Sequence, residues 1–186
     1  MTFRTLLLHL LLIQISVMVH ADNDAALDML QGYEWQLSEK RLSELGPDAY
    51  RSFLSIARDK TQANFIRARA MTTLTHFPNE EVWNYFESGL TSEQGLSNRE
   101  KGGAEKVYSR QLVEGLCASF LESRPEQVSE ILMPLLEAND AQLRIRTANC
   151  LQSVDGKKAE RALSDYQSKI SEPWELKAAG FQMEIE

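Results

Sequence analysis

Ile66-Arg67-Ala68-Arg69-Ala70-Met71-Thr72-Thr73-Leu74 and Leu143-Arg144-Ile145-Arg146-Thr147-Ala148-Asn149-Cys150-Leu151 follow one nine-residue frame. An apolar residue opens it, Arg follows, a small residue stands four positions on and Leu stands at eight. Offsets of four and eight return to one face of an α-helix, so each copy is a helix that buries a narrow stripe. Tyr108 to Leu116 fits without the Arg, with Leu112 and Leu116 in phase, and Trp174 to Gln182 keeps only Ala178. The frame starts lie 42, 35 and 31 residues apart, lengths that suit a repeated helical hairpin. The longest interval contains the one loop-like stretch, Thr91 to Gly103, which carries Gly95, Gly102 and Gly103.

Helical spacing also governs the rest of the chain, and no segment sustains the alternation of a half-buried strand. Asp24 is expected to cap a helix running toward Leu45, with Leu27, Leu30 and Leu37 on its apolar side. Gly46-Pro47 stops that helix and starts the next, where Tyr50, Phe53, Leu54 and Ala57 share a face. The frame at 66 sits in a helix from about Gln62 to His76. After Pro78-Asn79, Val82, Phe86 and Leu90 form a further stripe. Pro125, Asp140, Gly156 and Pro173 punctuate four later helices. The expected fold is all-α, nine helices of 10–20 residues joined by short turns into antiparallel hairpins.

The pattern apolar-Arg-x-x-small-x-x-x-Leu resembles the first helix of HEAT repeats, including the bacterial HEAT-like group first named after phycobilisome lyases. The resemblance covers residues 60–186 and implies a short α-solenoid in which small residues let consecutive first helices approach and Leu fills the layer between hairpins. It implies that the Arg crosses to carbonyls or acids of a neighbouring repeat, and that second helices line a concave groove. Residues 22–59 are then an N-terminal helical cap or a degenerate repeat.

Residues 1–21 read as a cleaved export signal. Arg4 supplies the positive end, Leu6 to Val19 a mostly apolar run, and Val19-His20-Ala21 the small-residue site before Asp22. A 14-residue run spans about 21 Å as a helix, short of a hydrocarbon core of roughly 30 Å. No second hydrophobic span follows, so the expected product is periplasmic or secreted, without stable membrane insertion after cleavage.

The chain has 186 residues, 25% of them charged and 43% hydrophobic, at net charge −7. Without the leader, 165 residues carry 19 bases against 27 acids. That sign disfavours a nucleic-acid partner. His76 becomes the only histidine, placed to cap a helix C-terminus, and no multi-histidine metal site is available. Gly102-Gly103 lacks the spacing of a phosphate-binding loop, and the many carboxylates (Glu80, Glu81, Glu184, Glu186) do not single out an acid/base pair. No cofactor is expected.

Charge is unevenly distributed. Arg51, Arg58, Lys60, Arg67 and Arg69 stand against Asp59 alone, a local +4, so the rest of the mature chain sums to −12. Trp83 and Tyr85 follow on the next helix, turned roughly 100° and 60° from its Val82 stripe. Arginines beside aromatics suit a binding face. The competing reading makes Trp83 a filler between repeats and the arginines a solvated face. Cys117 and Cys150 are the two thiols, and two readings stand for them also: a bridge between successive first helices, or small buried fillers. These observations suit a non-catalytic exported scaffold that binds a protein or peptide through a helical-repeat groove. A carboxylate-dependent envelope hydrolase and a structural oligomerising repeat protein are the alternatives.

Overall fold

The computed structural model describes residues 23–92 and 104–182, with side chains from 106 onward in the second stretch. The described residues are helical or connecting, with no strand among them, which agrees with the all-α expectation. The chain divides into two compact units, Met1–Leu74 and Thr75–Glu186.

In the first unit, α1 covers residues 23–30 and α2 covers Glu39–Leu45. The single helix expected from Asp24 to Leu45 is therefore broken, and side chains explain the break. The Trp35 indole N–H donates to the Met29 carbonyl at 3.1 Å, and Arg69 donates to the Leu30 and Gly32 carbonyls at 2.7 and 2.9 Å. Gly32, at φ +104°, turns the chain through a conformation that L side chains disfavour. Ser38 restarts the helix by accepting from the Arg41 backbone N–H. Gly46 then turns at φ +83°, Pro47 opens a 3₁₀ turn (Pro47–Ala49), and α3 follows at Tyr50–Arg58. The buried side of α3 carries Phe53, Leu54, Ile56 and Ala57 and packs on α4, Asn64–Leu74, through Ile66, Ala70 and Leu74.

In the second unit, Asn79 caps α5 (Glu80–Thr91), and α6 spans Ala104–Phe120. Pro125 opens α7, Pro125–Leu132, which tightens into a 3₁₀ turn at Met133–Glu137. Pro134 has no N–H to continue the α ladder, so the change of pitch falls where the sequence requires it. Asp140 caps α8 (Ala141–Leu151), Gly156 precedes α9 (Lys157–Lys169), and Pro173 opens α10, Pro173–Ala178.

Helix α6 packs on α5 and α8, α8 on α10, and the 3₁₀ turn on α8 and α9. The α5–α6 approach is close: Gly115 faces the Phe86 ring, while Gly89 faces the tip of Leu112. The frame residues behave as their spacing requires. Leu74, Leu116 and Leu151 are fully buried, as are Ala70, Leu112 and Thr147 at the preceding position. Trp174 and Ala178, at the weakest copy, are exposed, and Ala179 takes the buried place. Among the described residues, no helix is long and apolar enough to cross a membrane. The leader, with Ala21 and Asp22, and most of the Thr91–Gly103 stretch lie outside the described residues.

Candidate functional site

The basic-aromatic set separates into side chains with different tasks. Arg51 and Arg58 are exposed on α3, and Arg51 lies 4.0 Å from Asp48 with its guanidinium 5.6 Å from the Tyr50 ring centroid. Arg67 is buried and donates Nε–H to the Ala57 carbonyl at 3.1 Å. Its counterpart in the other good copy, Arg144, reaches the Ala138 carbonyl and the Glu175 carboxylate. The Arg of the frame thus ties its helix to neighbouring elements.

Trp83 and Tyr85 do not form an exposed face, and this corrects the aromatic half of the patch: each is 5% exposed. Trp83 sits edge-on to Phe120 at 5.1 Å, with the Arg124 guanidinium 4.7 Å from its ring, and donates Nε1–H to Glu87. Tyr85 shares a hydrogen bond with the Tyr108 hydroxyl. The physical reason is that α5 contacts both α6 and α7, so its buried arc widens to include the flanks of the Val82–Phe86–Leu90 stripe. The filler reading of Trp83 describes it better. Cys117 on α6 and Cys150 on α8 are disulfide-bonded, with Cα atoms 6.1 Å apart.

Exposed aromatics occur elsewhere. Tyr33 is 99% exposed and Phe65 57%, and both line a cleft of about 670 Å³ in the first unit with Leu27, Gln62, Ile66 and Arg69. The site is built from the α1 break and the first turn of α4. Arg69 organises it, held by the two α1 carbonyls and stacked with its guanidinium carbon 5.0 Å from the Phe65 centroid and 5.4 Å from that of Trp35. Such stacking holds Arg69 against the Phe65 ring before any ligand arrives. Arg69 is the one charged residue of the lining; Gln31 and Gln62 supply amides, and no carboxylate lines the cleft. Exposed Arg58 and Lys60 lie just before Gln62 in the chain.

A continuous first helix hides Tyr33 and Trp35, which stand in the break between α1 and α2. Phe65 carries a signal of its own: it falls outside the inward set expected for its helix (Ile66, Ala70, Thr73, Leu74 and Phe77), which leaves a large aromatic facing outward.

Among the described residues, the buried carboxylates Asp140 and Glu175 are both committed to arginines. Burial pushes the Asp140 carboxyl up, but hydrogen bonds from Arg110 at 2.6 and 2.7 Å outweigh it, and the group titrates below its usual range. Glu175 is likewise held down, first by Arg144. A general acid needs the opposite shift. No cluster of three or more His, Cys, Asp or Glu among the described residues is arranged to hold a metal ion. Comparison of the chain with protein-family models, curated proteins and solved structures finds no match.

Proposed function

We propose that this protein is an exported, non-catalytic scaffold that binds a segment of another protein through the Arg69 cleft. The observation that carries the reading is the exposure of Tyr33 and Phe65 in the lining of a cleft whose arginine is already anchored and stacked. Large exposed aromatics beside a preorganised cation suit an interface anchor. A lining with a cation, two amides and no carboxylate favours a segment that presents an apolar side chain next to Asp or Glu.

The architecture we favour is a HEAT-like stack in residues 60–186. Support comes from the second unit, where α6, α8 and α10 pack in succession and the frame residues of α6 and α8 are buried between them. Export is supported by the 1–21 leader pattern together with the Cys117–Cys150 bridge, since structural disulfides belong to oxidising compartments.

Panning a random peptide display library on the tagged chain tests the binding reading. Apolar-acidic peptides should be enriched, and Tyr33→Ser with Phe65→Ser should release them while the circular dichroism stays helical. Enrichment that survives both substitutions removes the cleft from the proposal. In-cell crosslinking then identifies the natural partner.

A further inference from the structure

Two clefts of the second unit meet at Pro134. One, about 440 Å³, lies between α5 and the α7 region over Leu90, Ile131 and Leu135. The other, about 580 Å³, lies between the 3₁₀ turn and α9 over Met133, Tyr166 and Ile170. Pro134 belongs to both linings and is itself exposed, so the apolar surface runs from one cleft into the next.

The charges around this surface are mainly of one sign. Glu87 and Glu130 line the first cleft, Glu137 and Asp165 the second. Of the cations in the linings, Arg144 is matched by buried Glu175, and Lys169 lies 2.7 Å from Glu137. Lys158, outside both linings, is 3.7 Å from Glu130. The two lysine pairs are largely exposed and screened by solvent, so an incoming cation can replace either lysine at little cost.

We infer that the double cleft is a docking surface for one cationic amphipathic segment of a partner protein. Its apolar side chains lie over Ile131, Pro134 and Met133, and its Lys or Arg side chains meet Glu87, Glu130 and Asp165. Charge complementarity selects this occupant: the two linings hold four carboxylates against two cations, one of them already matched by buried Glu175, so an acidic segment or a nucleic acid would meet an excess of like charge. The inference stands apart from the Arg69 cleft, whose lining carries the opposite charge.

The test uses the full chain and a fluorescein-labelled 14-residue Leu/Lys peptide, with a Leu/Glu peptide of the same pattern as its control, read by anisotropy. The Leu/Lys peptide should bind, and Glu87→Gln/Glu130→Gln/Asp165→Asn should weaken it at least about tenfold with helicity unchanged. Ile131→Lys should do the same through the apolar half of the site. Glu34→Gln/Glu39→Gln/Glu44→Gln, which removes equal charge elsewhere, should change affinity less than about twofold. Equal losses from both triple variants, or equal binding of the Leu/Glu peptide, would overturn the inference. So would sedimentation showing the cleft filled by a second copy, disrupted by Ile131→Lys.

Discussion

Arg144 and Glu175 form a two-pronged ion pair across 31 residues of sequence, Nε to Oε1 and Nη2 to Oε2, each at 2.7 Å. Glu175 is 2% exposed, the Tyr166 hydroxyl donates to its Oε1 at 2.9 Å, and Arg144 also donates to the Ala138 carbonyl. One carboxylate therefore joins α8, α9 and α10, the last three helices. Removing one partner strands a buried charge. Glu175→Ala should cost about 3–5 kcal/mol, whereas Arg144→Met with Glu175→Leu should come closer to neutral. Urea titrations of the three proteins check this, and similar midpoints for single and double variants would show that the pair carries no such strain.

The same network sets an acid limit. Glu175 and Asp140 both titrate lower in the folded chain than in the unfolded one, so their contribution is fully present above the unfolded values near pH 4. It is lost as pH falls through and below those values toward the folded ones. Thermal midpoints should lose this contribution on going from pH 6 to pH 3, and Glu175→Gln should flatten the acid slope. Tyr166 is shifted the other way, upward by burial and by Glu175, so its contribution is lost only above pH 10.

The Cys117–Cys150 bridge closes a 33-residue separation between α6 and α8. Chain-entropy arguments give such a loop about 3–4 kcal/mol. Reductant, or Cys117→Ser with Cys150→Ser, should lower the thermal midpoint by a similar amount, and the double variant should no longer respond to reductant. A midpoint indifferent to reductant in the parent chain would contradict the bridge.

Thr147 occupies the small position of its frame, fully buried, and its hydroxyl makes no hydrogen bond among the described residues. An unpaired buried hydroxyl costs about 1–3 kcal/mol, while the isosteric methyl of valine costs nothing in that place. Thr147→Val should therefore stabilise the chain by about 1 kcal/mol, read as a raised urea midpoint at constant slope. A loss instead would mean that the hydroxyl has a partner.

These side chains also mark where sequence reading succeeds. The Leu and small positions of the frame, the Pro125 and Pro173 starts and the Asp140 cap depend on spacing within one helix, and local periodicity carries that information. The break between Gly32 and Ser38 depends on Arg69, 37 residues from Gly32, taking carbonyls that a continuous helix would have used. Trp83 and Tyr85 are buried because two other helices approach α5 from different sides, and no pattern internal to α5 counts its neighbours. The cleft around Arg69 combines both difficulties. Its arginine belongs to a visible basic run and Phe65 to the outward side of α4, but Tyr33 comes from the break that the spacing does not show.

Two glycines of the α5–α6 contact should respond in opposite ways to the same substitution. In a helix interior, Gly→Ala gains about 1 kcal/mol of propensity. At Gly89 the added methyl would meet Leu112 Cδ1 at 2.7 Å, the far end of a side chain able to change rotamer, so the gain is partly kept. At Gly115 the methyl would press on the ring of Phe86, which like Leu112 is fully buried but, being a rigid ring, cannot yield by moving its tip alone. Overpacking of that kind costs about 1–3 kcal/mol and exceeds the propensity gain. Gly115→Ala should therefore lower the urea midpoint while Gly89→Ala leaves it within about 0.5 kcal/mol of the parent. If Gly115→Ala with Phe86→Leu recovers more stability than the separate effects predict, the collision is between those two residues.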